Sequence, residues 1–158
     1  NLSFVEEHPV VGKSFAIDTL RTWEKLDNDS AKVTMGTGVY TTTVRMSKTD
    51  AQKNYAIDLG DVRESARVYI NGKFIGCAWS VPFVINCGKA FKTGVNSLRI
   101  EVTNLPANRI ADLDRKGVNW RKFNEINFVN ITYKKSLYND WKPVESGLNS
   151  KVTLYELK

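Results

Sequence analysis

Histidine, cysteine and proline are all scarce in this chain of 158 residues, which carries one His, two Cys and four Pro. A serine triad would have to use His8, which falls in an N-terminal stretch without periodicity, so that chemistry is set aside. Cys77 and Cys87, with one distant histidine, match no zinc spacing and close at most one disulfide. Buried free thiols are the expected state of so few cysteines. Long apolar runs are missing too: nothing approaches the roughly 18 residues of a membrane span. No basic-then-apolar leader opens the chain, which starts at Asn1 and reads as a mature or excised fragment. A convincing helical stripe is also lacking.

Charge of one sign is in excess, at a formal +6. The densest basic pairs, Arg115-Lys116, Arg121-Lys122 and Lys134-Lys135, are separated rather than pooled. A solvated basic surface therefore outweighs a nucleic-acid footprint. Neither nucleic acid nor a membrane is an expected partner. Gly36-Thr37-Gly38 lacks the third glycine and following helix of a nucleotide loop. Asp27-Asn28-Asp29-Ser30 lacks the glycine and distal glutamate of a calcium loop and reads as a turn.

What the chain does contain is β structure, organised around residues 66–104. Asn71-Gly72 between two β-rich runs is a strong hairpin signal, because a type I′ turn needs positive φ at both central residues. A two-residue turn pairs Ile70 with Lys73, Val68 with Ile75 and Ala66 with Cys77, and predicts that Trp79 shares their core face. Leu98, Ile100 and Val102 then alternate with Arg99, Glu101 and Thr103, as a strand with one wet face should.

Elsewhere, strands are predicted near Phe15–Asp18, Lys32–Met35, Val39–Met46, Asn54–Leu59, Val81–Ile85 and Lys151–Leu157. Gly36 and Gly38 suggest a bulge or a close backbone approach. Residues 1–13 read as an arm or linker and 14–158 as one domain. About eight or nine short strands with regular turns argue for an all-β fold, an antiparallel sandwich or jelly roll. The exception is Pro106–Glu145, long and aperiodic, with Trp120, Phe123, Phe128, Tyr133, Tyr138 and Trp141. So long an irregular stretch is usually functional.

Several motifs carry a family resemblance. Thr37-Gly38-Val39-Tyr40 is similar to the "Ser-Gly-Thr-x-x-Tyr" start of sugar-binding domains in family two glycoside hydrolases. Leu59-Gly60-Asp61-Val62, Ala66–Lys73, Ile75-Gly76, Trp79, Pro82-Phe83, Gly94-x-Asn96-x-Leu98 and Val102-Thr103-Asn104 continue the likeness in register. Asn104–Asp112 resembles the "Thr-Asn-x-x-x-Asn-Arg-x-x-Gly-Asp" segment of C-terminal domains in α-L-rhamnosidase-like enzymes, with Ala111 in place of the glycine. Ser146-Gly147-Leu148 resembles their "Ser-Gly-Leu-x-Gly-Pro-Val" ending, with Asn149-Ser150-Lys151 replacing the Gly-Pro part. The resemblance implies a galactose-binding-like sandwich within a larger bacterial glycoside hydrolase, periplasmic or extracellular. It implies that catalysis belongs to a separate barrel domain. Some related sandwiches hold a structural calcium, but no ligand run marks one here, and no cofactor is expected.

Glycoside hydrolysis needs two carboxylates about 5 to 10 Å apart. Asp112 and Asp114 are the tempting pair, but an Arg-paired or solvated role suits two acids in a loop better. The chain alone is therefore read as non-catalytic. A sugar offers an apolar C–H face and a rim of hydroxyls, so its site needs a flat aromatic and forked polar groups. Trp120, Arg121, Tyr138 and Trp141 supply these, with Asn108, Arg109 and Trp79 as neighbours. Arg-carboxylate forks extend the partner class to acidic plant or host glycans. Each residue has a structural alternative: Trp79 packs in the core, and Asn108 and Arg109 tie the loop to the sheet. The alternative function is a structural module docked on other domains of the parent enzyme, without affinity for sugar.

Overall fold

The computed structural model describes residues 1–122, 134 and 136–157. Ten strands and two α-helices occur among them. The strands are β1 (Leu2–His8), β2 (Met35–Met46), β3 (Asn54–Asp58), β4 (Val62–Arg63) and β5 (Ser65–Ile70), followed by β6 (Lys73–Ala78), β7 (Val84–Gly88), β8 (Gly94–Thr103), β9 (Gly147–Leu148) and β10 (Thr153–Leu157). Helix α1 covers Asp29–Val33 and α2 covers Ala107–Arg115. One sheet has the order β1-β2-β8-β5-β6, a second β10-β3-β7, and β4 pairs with β9. All of these ladders are antiparallel.

Side chains of the two larger sheets meet in one core. Leu2, Tyr40, Val68, Ile70, Leu98, Ile100 and Val102 come from the five-stranded sheet, and Tyr55, Ile57, Ile85 and Cys87 from the three-stranded one. The expected all-β sandwich is thus the observed class. Its largest fully buried side chain is Trp23, whose indole N–H donates to the Tyr40 hydroxyl at 2.8 Å. Two glycines make room for that ring. A Cβ on Gly38 would lie 2.5 Å from Trp23 Cζ2, and one on Gly147 would run into both the indole and the Tyr40 hydroxyl. Of the bulge or close backbone approach suggested at Gly36-Thr37-Gly38, the backbone approach is found at Gly36, where a Cβ would lie 2.7 Å from Glu7 Cα.

The hairpin turns as expected, with φ of 52° at Asn71 and 79° at Gly72. Ile70 pairs with Lys73 and Tyr69 with Phe74, but Val68 then pairs with Gly76, so Ile75 is an extra residue in β6. Such a bulge exchanges the faces of everything beyond it. This corrects two expectations: Trp79 is not in the core but 77% exposed, and Cys77 is exposed rather than buried, while Cys87 is buried. Asn96, fully buried, ties the hairpin turn to the next one. Its Oδ1 accepts from Asn71 Nδ2 at 2.7 Å and from the Lys92 N–H at 2.8 Å.

Other departures have local causes. Leu2–His8, within the stretch read as an arm, forms an edge strand, with Leu2 buried on the core side. Phe15 makes only an isolated bridge to Leu2 instead of opening a strand. Asn28 accepts from the Ala31 N–H at 2.8 Å, so the polar cluster read as a turn caps α1. The main correction is α2, inside the stretch read as aperiodic. Its buried residues are Asn108, Ala111 and Asp112, a helical spacing without an apolar stripe, so no hydrophobic periodicity announces it.

Candidate functional site

Helix α2 divides the sequence-derived candidates into two groups. At its N-terminal end, Asn108 is buried and every hydrogen bond of its carboxamide is internal. Nδ2 donates to Glu24 Oε1 at 3.0 Å and the Val144 carbonyl at 2.8 Å, and Oδ1 accepts from the Val144 N–H at 2.8 Å. Glu24 also accepts from the Ser146 N–H at 3.2 Å, and burial, opposed by hydrogen bonds from its own backbone, Ser146 and Thr22, raises its carboxyl above the ordinary value. Arg109 donates to Asp112 at 3.0 Å, and Lys116 joins the same carboxylate at 2.9 Å. Asn108 therefore ties α2 to Glu24 and Val144, whereas the Arg109 pair stays within the helix.

At the C-terminal end of α2, Asp114 gathers the other candidates. Its side chain is 3% exposed and that of Arg121 7%. Asp114 accepts from Trp120 Nε1 at 2.7 Å, from Arg121 at 3.1 and 3.3 Å, and from the Tyr138 N–H at 2.8 Å. Burial is the largest influence on this carboxyl and acts upward. The hydrogen bonds from Arg121, Trp120 and Tyr138, with the guanidinium charge, outweigh it and hold Asp114 below the ordinary aspartate value.

The aromatic rings follow from that hub. The Arg121 guanidinium lies 4.2 Å from the Trp120 ring centre and 5.4 Å from that of Tyr138. Tyr138 and Trp141 lie 4.5 Å apart, tilted by 47°. Arg115 donates to the carbonyls of Asn139 at 3.0 Å and Trp141 at 3.1 Å, clamping the segment beneath them. Trp141 is left 47% exposed, the accessible ring of the group. The fork of Arg121 is spent internally, so it is a spacer between rings rather than a ligand group. Trp79 stands apart on the β6–β7 connection. Phe123, Phe128 and Tyr133 lie outside the described residues.

Asp112 and Asp114 are each arginine-paired. The sequence reading missed Arg115 and Glu24 as organisers, and Asp114 as the hub. Its one usable signal was the i, i+4 spacing of acid and base along residues 108–116, visible only once a helix is assumed.

No protein-family model matches the chain. A candidate β-glucuronidase of Formosa agariphila is 37% identical over 109 residues, 63% of this chain but 9% of that protein. Among solved structures, a rhamnosidase from a Novosphingobium species superposes with a TM-score of 0.68 and 29% identity, covering 85% of this chain and 12% of that one. The chain is similar to an accessory β-sandwich of glycoside hydrolases. A β-glucuronidase from Ruminococcus gnavus in complex with D-glucuronic acid shares the fold, with a TM-score of 0.56 and 16% identity over 92% of this chain and 24% of that one. The chain thus spans about a tenth of the first relatives it matches. The expected resemblance to rhamnosidase-like hydrolases is met in both sequence and fold.

Proposed function

We propose that this β-sandwich is a non-catalytic, carbohydrate-binding part of a larger exported glycoside hydrolase. The carrying observation is Trp141, half exposed and tilted against Tyr138, a ring that Arg121 and Trp120 in turn pack against. A sugar's C–H face stacks on such a ring, while Arg121 and Asp114 hold the rings and contribute no free charge. The hydrolytic activity is assigned to a part of the enzyme outside this chain, whose tempting acid pair, Asp112 and Asp114, is held by arginines. Among the described residues no helix is long and apolar enough to cross a membrane.

A glycan array on the isolated chain tests this reading, with Trp141→Ala as the control. Retention of a glycan that Trp141→Ala abolishes, at an unchanged melting temperature, supports it. An array on which nothing is retained overturns it. A second reading, docking on a neighbouring domain, is favoured by Trp79 and Val81, exposed by 77% and 79% on one short connection. Under that reading Trp79→Ala weakens association with the neighbouring domain and leaves glycan retention untouched.

A further inference from the structure

The two large sheets each end in an unpaired edge, β6 in one and β7 in the other. These edges nearly touch at Gly76, where a Cβ would sit 3.0 Å from Ile85 Cγ2. Away from that contact they enclose an open groove of about 390 Å³, bordered by Lys73, Phe74 and Ile75 on β6 and by Asn86, Gly88 and Lys89 on and after β7. The volume falls in the range of small-ligand sites, about 300–1,000 Å³. Lys73 and Lys89 make no ion pair among the described residues, and no acid borders the groove. Phe74 is 53% exposed although Tyr69 packs edge-on against it. Asn86 Oδ1 accepts from the Gly88 N–H at 2.9 Å, which orients the carboxamide and leaves its NH₂ to donate outward.

Two unpaired ammonium groups, a fixed amide donor and an exposed ring on one polar-walled groove select a ligand with both an anionic group and an apolar face. We propose that the β6–β7 groove binds an anionic sugar residue of a polysaccharide. Its carboxylate or sulfate lies between Lys73 and Lys89, and its ring lies on Phe74. The proposal rests on the carbohydrate reading of the chain but on none of the α2 aromatics. Phe74 lies before the bulge at Ile75 and keeps its pairing with Tyr69, on the face of β6 away from the core.

Titration calorimetry at low ionic strength tests it with four probes: an oligogalacturonate, a sulfated galacto-oligosaccharide, a neutral galacto-oligosaccharide of equal length, and polyglutamate. One or both charged sugars are expected to bind, and which of them does identifies the anion. The double variant Lys73→Ala/Lys89→Ala should weaken that binding about a hundredfold, taking about tenfold for each lost charge-assisted bond. Phe74→Ala should weaken it several-fold. All three side chains are exposed, and an unchanged melting temperature verifies folding. Trp141→Ala should leave this binding intact, so failure of the α2 site and failure of the groove give different results. The proposal is overturned if neither charged sugar binds, if the double variant binds as tightly as the parent, or if polyglutamate binds equally with the same loss.

Discussion

Two tryptophans in this protein donate the indole N–H to an oxygen at nearly the same distance, 2.8 Å for Trp23 and 2.7 Å for Trp120, yet their surroundings are opposite. Trp23 is buried against β1, β2 and β9, with Phe4 at 4.9 Å and two glycines that leave space for the ring. Its position is determined by packing from strands distant in sequence. Trp120 sits on the crossover after α2, and one carboxylate holds it together with Arg121 and the Tyr138 backbone. The first node is held by volume and the second by charge and hydrogen bonds. A site held by a single hub keeps its rings at the surface, where a ligand reaches them, and loses them together when the hub fails.

That contrast can be broken by mutation. The largest expected effect is Trp23→Ala, with a loss of about 3–5 kcal/mol in chemical denaturation, because the glycine-lined space cannot collapse onto alanine. Asp114→Ala comes next, at about 3 kcal/mol, since it strands a buried guanidinium. Its signature is local: hydrogen exchange at Tyr138 should quicken while the β8 amides stay protected. Equal loss of protection in both places would show that the two nodes are one cooperative unit.

Acid sharpens the comparison. Asp114 is held below its ordinary value in the folded chain, so its contribution is present above the unfolded aspartate value, about 3.9, and lost as pH falls through the lower folded value. Glu24 is raised and has the opposite sign: its contribution is complete below its unfolded value and lost as pH rises through the folded one. Tryptophan fluorescence of the α2 cluster should therefore hold through mild acid and change only below the aspartate range. A change in that signal near neutral pH would contradict the hub. The smallest effect on stability belongs to Trp141→Ala, within about 0.5 kcal/mol for an exposed ring, and a much larger loss would make Trp141 structural.

The strands were legible where burial alternates cleanly. Leu98, Ile100 and Val102, and the Asn71-Gly72 turn, behave as their pattern predicts, because one face of a strand must be dry. Trp79 and Cys77 were misplaced by a single inserted residue, Ile75, which no local pattern marks. The α2 helix escaped because its buried face carries Asn108 and Asp112, whose cost of burial is met by partners at Glu24, Val144, Arg109 and Lys116. Thiol labelling checks the register: Cys77 should react in the folded chain and Cys87 only on unfolding, its thiol also raised by burial.

Alternation, turn chemistry and composition were enough to specify an antiparallel β-sandwich and to place Trp120, Tyr138 and Trp141 on one crossover, since these depend on neighbours a few positions apart. Which of those aromatics reach solvent, which charges are already consumed, and where β6 changes face depended on contacts between residues far apart in the chain. A carboxylate such as Asp114 has no fixed role until folding brings Trp120, Arg121 and Tyr138 to it. Its meaning is set by the desolvation and pairing that only the assembled structure imposes.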